Sequence, residues 1–133
     1  MGNVVRGFET QTTIFSSSIR HLIAAGKNCI ELKKYDQAIR LFSRAVNEAP
    51  SNEGAKAGLS WALGLRALVL IDKKNFDNAI SDLQTAILHC PDAWELHYNL
   101  GNAYLKEDNY LEAVKAYQTV MMLNFNSTDV QCN

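Results

Sequence analysis

The sequence predicts an all-α fold, an α-solenoid of paired helices, and three observations predict it. The block Tyr35-Asp36-Gln37-Ala38-Ile39 returns as Phe76-Asp77-Asn78-Ala79-Ile80 and again as Tyr110-Leu111-Glu112-Ala113-Val114. Its companions return at aligned offsets: Phe42, Leu83 and Tyr117, then Ala45, Ala86 and Val120, then Pro50, Pro91 and Phe125. The second and third copies lie 34 residues apart, the period of a helix-turn-helix solenoid unit, whereas the first and second lie 41 apart.

These spacings predict one domain over residues 16–126, built from three units at about 19–52, 53–93 and 94–126. An N-terminal extension of residues 1–15 precedes it and a tail of residues 127–133 follows. The first helix of each unit ends at Lys33-Lys34, Lys73-Lys74 or Lys106, where a cation favours the negative end of the helix dipole. Asp36, Asp77 and Glu112 fall in the opening turn of each second helix, where a carboxylate is favoured. Pro50 and Pro91 close the first two units because proline cannot continue a helix, and the third unit has Phe125 there instead. Small residues recur where paired helices must approach closely: Gly26, Ala67 and Gly101 on the first helices, Ala38, Ala79 and Ala113 on the second. A large side chain at such a crossing would overpack it.

Asn99-Leu100-Gly101-Asn102-Ala103-Tyr104, followed by Tyr110, Glu112-Ala113 and Tyr117, resembles the tetratricopeptide repeat (TPR) family almost throughout. Phe76 to Pro91 and Tyr35 to Pro50 resemble it as well, so the likeness covers roughly residues 19–126. Two positions depart from the pattern. Arg66 stands where the third copy has Leu100, and His97 takes the place of Leu22 and Leu63.

The extra seven residues fall in Ser51 to Ser60. Seven is nearly two helical turns, so the insertion keeps the apolar face of a continuing helix in register. It therefore predicts that the first helix of the second unit is lengthened by about two turns, from about Glu53 to Lys73, with Ser51 or Asn52 as cap. Such a helix overhangs its neighbours by about 10 Å. The alternative is a flexible loop around Gly54 and Gly58, since glycine weakens a helix. Residues 61–71 are apolar on nearly every side, which requires burial on more than one face.

Composition narrows the function. The 133 residues are 47% hydrophobic and 20% charged, with 13 basic residues against 14 acidic, so no basic footprint for nucleic acid exists. The longest apolar run, Ala67 to Ile71, falls far short of the roughly 20 residues of a membrane span. Cys29, Cys90 and Cys132 form neither a disulfide framework nor a zinc motif, which points to a reducing intracellular compartment, the cytoplasm being the simplest. The first 20 residues carry Arg6 and Arg20 among Ser and Thr but lack a basic amphipathic pattern, so a transit peptide is not expected. Met1-Gly2 is not expected to be myristoylated, because Arg6 stands where Ser or Thr is required. His21, His89 and His97 share no partner pattern, and neither a catalytic motif nor a phosphate loop is present. No enzyme, metal or cofactor is expected.

The resemblance implies a right-handed superhelix whose concave face receives a peptide or helix of a protein partner. Carried over position by position, that groove involves Ile23, Lys27, Ile30, Trp61, Gly64, Leu68, Ile71, Tyr98, Asn102 and Leu105, a mostly apolar set. Some family members clamp a chaperone's C-terminal carboxylate with Lys, Asn and Arg; the matching places here hold Ile23, Lys27, Leu65, Glu95 and Asn99, so that clamp is not expected. An adaptor binding a partner segment is the leading expectation, and a co-chaperone-like holder of one apolar segment uses the same surface. The chain's own residues Val4 to Phe15 could instead cover part of the groove. At the other end no capping helix follows Phe125, which leaves three arrangements: a bare edge, a homodimer through Tyr117, Met121, Met122 and Phe125, or Phe125 folded back on Tyr117 and Met121.

Overall fold

A computed structural model describes the backbone of residues 18–132 and the side chains of residues 18–125. The expectations for residues 1–17, the N-terminal extension and its folding back over the groove among them, lie outside the described residues. Six helices and no strand occur within them: α1 (18–31), α2 (Tyr35–Glu48), α3 (Glu53–Asp72), α4 (Phe76–His89), α5 (Trp94–Lys106) and α6 (Tyr110–Cys132). The chain divides into two compact units, Met1–Leu59 and Ser60–Asn133, with the boundary inside α3.

One turn design joins α1 to α2, α3 to α4 and α5 to α6. Lys33, Lys74 and Asp108 adopt left-handed backbone conformations with φ of 61°, 62° and 62°. The amide of the next residue reaches back across the helix end: Lys34 to Cys29 O at 2.8 Å, Asn75 to Leu70 O at 2.8 Å and Asn109 to Tyr104 O at 2.9 Å. A shorter bond lies inside each, from Lys33 to Ile30 O, Lys74 to Ile71 O and Asp108 to Leu105 O. This is the Schellman arrangement, which satisfies helix carbonyls that would otherwise lack donors. Lys33 and Lys74 therefore set the backbone path of the turn as well as placing a cation at the helix end.

In the first unit the core is built around Phe42, which is fully buried with Ala38 and Ala45. Its ring lies between two glycines. A Cβ on Gly26 of α1 would come within 2.7 Å of it, and one on Gly58 of α3 within 2.2 Å. The seven extra residues are thus helical, and α3 with 20 residues exceeds α5 with 13. Asn52 caps α3 by accepting a hydrogen bond from the Ala55 amide at 2.9 Å. The expected overhang is not a free surface, however. Ala55, Gly58 and Leu59 are buried, because Gly58 opens the space that the Phe42 ring fills.

In the second unit the inner faces carry Ala62, Leu63, Ala67 and Ile71 of α3, Ala79, Leu83 and Ala86 of α4, Leu96 and Ala103 of α5, and Ala113 and Ala116 of α6, all buried. The Ser60 hydroxyl donates to Ala86 O at 2.8 Å, tying α3 to α4. Both departures from the repeat pattern are satisfied internally. The Arg66 guanidinium binds the buried Asp82 carboxylate through two 2.7 Å hydrogen bonds, a bidentate ion pair. His97 Nε2 bonds Pro91 O at 2.9 Å, bracing the α4–α5 connection. By length and composition α3 could cross a bilayer, yet half of it is buried against protein, as befits a core helix.

The C-terminal end differs from its expectation. Residues 127–132, expected as a tail, continue α6 to Cys132. Phe125 does not fold back; it sits 67% exposed along the uninterrupted helix, because Phe, unlike Pro50 and Pro91, leaves the helix free to propagate.

Gly58→Ala is expected to lower unfolding free energy by about 1–2 kcal/mol in urea denaturation, since overpacking of about 1–3 kcal/mol outweighs the gain of up to about 1 kcal/mol in helix propensity. Combining it with Phe42→Leu should cost less than the two single losses added together. Asp82→Ala should cost about 2–3 kcal/mol by the same assay, below the range for fully buried pairs because the Arg66 side chain remains 33% exposed.

Candidate functional site

Helical spacing brings apolar side chains to one face of α3 and to one face of α5. Trp61, Leu65 and Leu68 recur at i, i+4 and i+7 on α3, and Trp94, Tyr98 and Leu105 share a face of α5. Leu65 is half-buried; Trp61, Leu68, Trp94, Tyr98 and Leu105 are between 39% and 51% exposed. The two helices approach where Gly64 faces Leu96, since a Cβ on Gly64 would lie 3.1 Å from Leu96 Cδ2. Gly64 itself is buried, so its part is to permit that approach.

An aromatic line runs inward from this face. The Trp94 and Tyr98 rings meet edge to face at 6.4 Å, and Tyr98 lies tilted at 6.1 Å from Tyr117. The Tyr117 ring rests on Gly101, and its hydroxyl donates to Asn102 Oδ1. Burial, and then the neighbouring Tyr98, raise the Tyr117 pKa above its ordinary value. Asn102 is thus engaged with α6 through its carbonyl oxygen.

Several positions assigned from sequence lie elsewhere. Ile30 and Ile71, each in the last turn of its helix, are 6% and 8% exposed and belong to the core. Ile23 is half-buried and Lys27 exposed on α1, within the first unit. Tyr117, assigned to an outer edge, is on the inner face of α6, whereas Met121, Met122 and Phe125 are exposed. Trp94 was not assigned, and the signal for it was present: it stands four residues before Tyr98 at the start of α5.

The polar groups offer little for chemistry. A shallow cleft of about 240 Å³ carries Gln84, His97, Tyr104, Glu112 and Lys115. These are occupied locally: Gln84 with Tyr104 at 3.2 Å, His97 with Pro91 O, and Lys115 with Glu112 at 3.2 Å. Among the described residues no group of three His, Cys, Asp or Glu is arranged to hold a metal ion. One carboxyl pair stands out. Asp77 at the start of α4 raises the pKa of Glu107, chiefly through a hydrogen bond that needs a proton, then through burial and charge repulsion.

Comparison with known proteins now supplies context. A family model described as "TPR repeat" matches residues 67–108, and one described as "Tetratricopeptide repeat" matches residues 94–127. Superkiller protein 3 of Schizosaccharomyces pombe is 22% identical over 124 residues, which cover 93% of this chain but only 9% of that protein. Among solved structures, the second TPR of Spaghetti (RPAP3) bound to the HSP90 peptide SRMEEVD has a TM-score of 0.54 at 18% identity, over 84% of this chain and 98% of that one. The TPR2B-domain:pHsp70 complex of yeast Sti1 reaches 0.57 at 15% identity, over 85% of each chain. MamA MSR-1 also reaches 0.57, at 22% identity over 95% of this chain and 70% of that one. These likenesses place the fold.

A raised folded-state pKa means that the Glu107 proton stabilises the fold at acidic pH and that this contribution fades as pH rises through the raised value. Glu107→Gln should therefore melt above the parent protein at neutral pH, with the gap closing as pH falls through the glutamate range. Thermal melts followed by circular dichroism across that range check it.

Proposed function

Since this chain belongs to the tetratricopeptide repeat family, we propose that it is a non-catalytic adaptor that holds an apolar segment, a peptide or an amphipathic helix, of a protein partner. The observation carrying this reading is the exposed apolar face of Trp61, Leu68, Trp94, Tyr98 and Leu105 on α3 and α5. Exposed apolar surface of this kind marks interaction sites in soluble domains. Two structural neighbours are chaperone complexes, one bound to an HSP90 peptide and one in a complex with pHsp70, which supports protein binding as the shared use of the fold. The occupant here is of different chemistry. Of the carboxylate-clamp positions, Lys27 and Asn99 keep donors, but Ile23 and Leu65 have none to offer and Glu95 repels a carboxylate. The setting proposed is a reducing intracellular compartment, since the spacing of Cys29, Cys90 and Cys132 suggests neither a disulfide framework nor a zinc motif.

A second reading, self-association as a homodimer, is favoured by Met121, Met122 and Phe125, each at least 66% exposed on α6. It is compatible with the first, because these residues lie on a different helix from the α3 and α5 face.

Leu68→Glu combined with Tyr98→Glu tests the adaptor reading, both sites being exposed enough to leave folding intact. Partners captured by the parent protein from its native cells and identified by mass spectrometry should be lost from the double variant. Retention of all of them by a folded variant would refute the reading. The peptide SRMEEVD should show no saturable binding in fluorescence polarisation.

A further inference from the structure

Helix α6 has two apolar faces, and among the described residues only one is packed against the rest of the chain. Ala113, Ala116 and Tyr117 are turned inward, with Tyr117 seated on Gly101 of α5. On the other side Leu111, Val114, Met121, Met122 and Phe125 are between 50% and 71% exposed. Residues 111, 114, 118, 121 and 125 alternate steps of three and four, the spacing of a coiled-coil seam, with Gln118 at its centre.

The earlier copies show that this face is not simply inherited from the repeat. Val114 and Met121 match Ile39 and Val46 in α2 and Ile80 and Ile87 in α4, all apolar and half-buried. A further helix packed as in the earlier copies would account for those two. Leu111 and Phe125, however, match Asp36 and Pro50, then Asp77 and Pro91. The repeat does not call for an apolar residue at either place, so the seam's two ends are particular to α6.

Self-complementarity selects the occupant. The seam reads nearly alike in both directions from Gln118: Leu111 and Phe125 stand seven residues to either side, Val114 and Met122 four. Between residues 110 and 125 the only charges are Glu112 and Lys115, which pair with each other at 3.2 Å, so a second copy brings no repeating like charges together. We propose that α6 pairs antiparallel with the same helix of a second copy about a two-fold axis at Gln118. In that register Leu111 meets Phe125 of the partner subunit, Val114 meets Met122 of the partner subunit, and the Gln118 amide bonds Gln118 of the partner subunit. Such an interface is isologous, and the central glutamine sets its register at some cost in stability. This rests on the self-association reading above and adds the surface, axis and orientation.

The test uses the full chain. Sedimentation velocity should show a dimer that dissociates on dilution, and Met122→Glu with Phe125→Glu should weaken it at least about 100-fold while leaving helical content unchanged, since the two glutamates would face Val114 of the partner subunit and Leu111 of the partner subunit and be buried without a polar partner. A monomer at high micromolar concentration would refute self-association altogether. A dimer indifferent to the two glutamates would refute α6 as its surface and leave self-association standing. Orientation is read by single cysteines, placed in a background with Cys29, Cys90 and Cys132 changed to Ala. Only a residue on the axis meets itself in an antiparallel pair, so Gln118→Cys should cross-link on oxidation, Leu111→Cys alone should not, and Leu111→Cys mixed with Phe125→Cys should. Self-cross-linking by Leu111→Cys would overturn the antiparallel register.

Discussion

An aromatic ring seated on glycine is the contact on which both units depend. Phe42, closed in between Gly26 and Gly58, sets how nearly α1 and α3 approach α2, and no side chain larger than hydrogen fits at either point without moving the ring. Tyr117 on Gly101 repeats the device between α5 and α6. The middle copy solves the same problem with other sizes, Leu83 and Ala67 at the matching positions, both fully buried. Glycine thus goes with the ring and alanine with the smaller leucine, as expected if total volume at the crossing is what is conserved between copies.

The periodic skeleton was readable because it follows from local rules. Six helices, the capped start of α3 at Asn52 and its run to Asp72 all follow from periodicity, capping and a seven-residue step that keeps a helical face in register. What escaped depends on contacts distant in sequence. Gly58 resembles a helix-weakening residue until Phe42, sixteen positions earlier, is placed against it. Ile30 and Ile71, expected in the groove from their repeat positions, are buried in the core. At the candidate site Trp61, Leu68, Trp94, Tyr98 and Leu105 can all be placed on helix faces from spacing, Trp94 standing four residues before Tyr98.

The Arg66–Asp82 pair shows how a charge is carried in residues 61–71 of α3, a stretch otherwise apolar. Two short hydrogen bonds from Arg66 satisfy both oxygens of a carboxylate that is largely removed from water. A buried pair of this kind adds little net stability compared with two well-packed apolar groups, but it penalises any arrangement of α3 and α4 that separates them. The Ser60 to Ala86 bond acts in the same direction, so α3 and α4 are held in one register by polar contacts as well as by shape.

The recurrent turn has a further consequence. Lys33, Lys74 and Asp108 hold a left-handed conformation that costs a residue with a Cβ about 1–2 kcal/mol, so the three together forgo several kcal/mol. That sum is comparable to much of the net stability of a small domain. Glycine would relieve this strain, less the entropy it adds to the unfolded chain, without touching the core or the exposed faces. The turns are therefore where this repeat retains unused thermal headroom: its stability is set well below what its own backbone geometry permits.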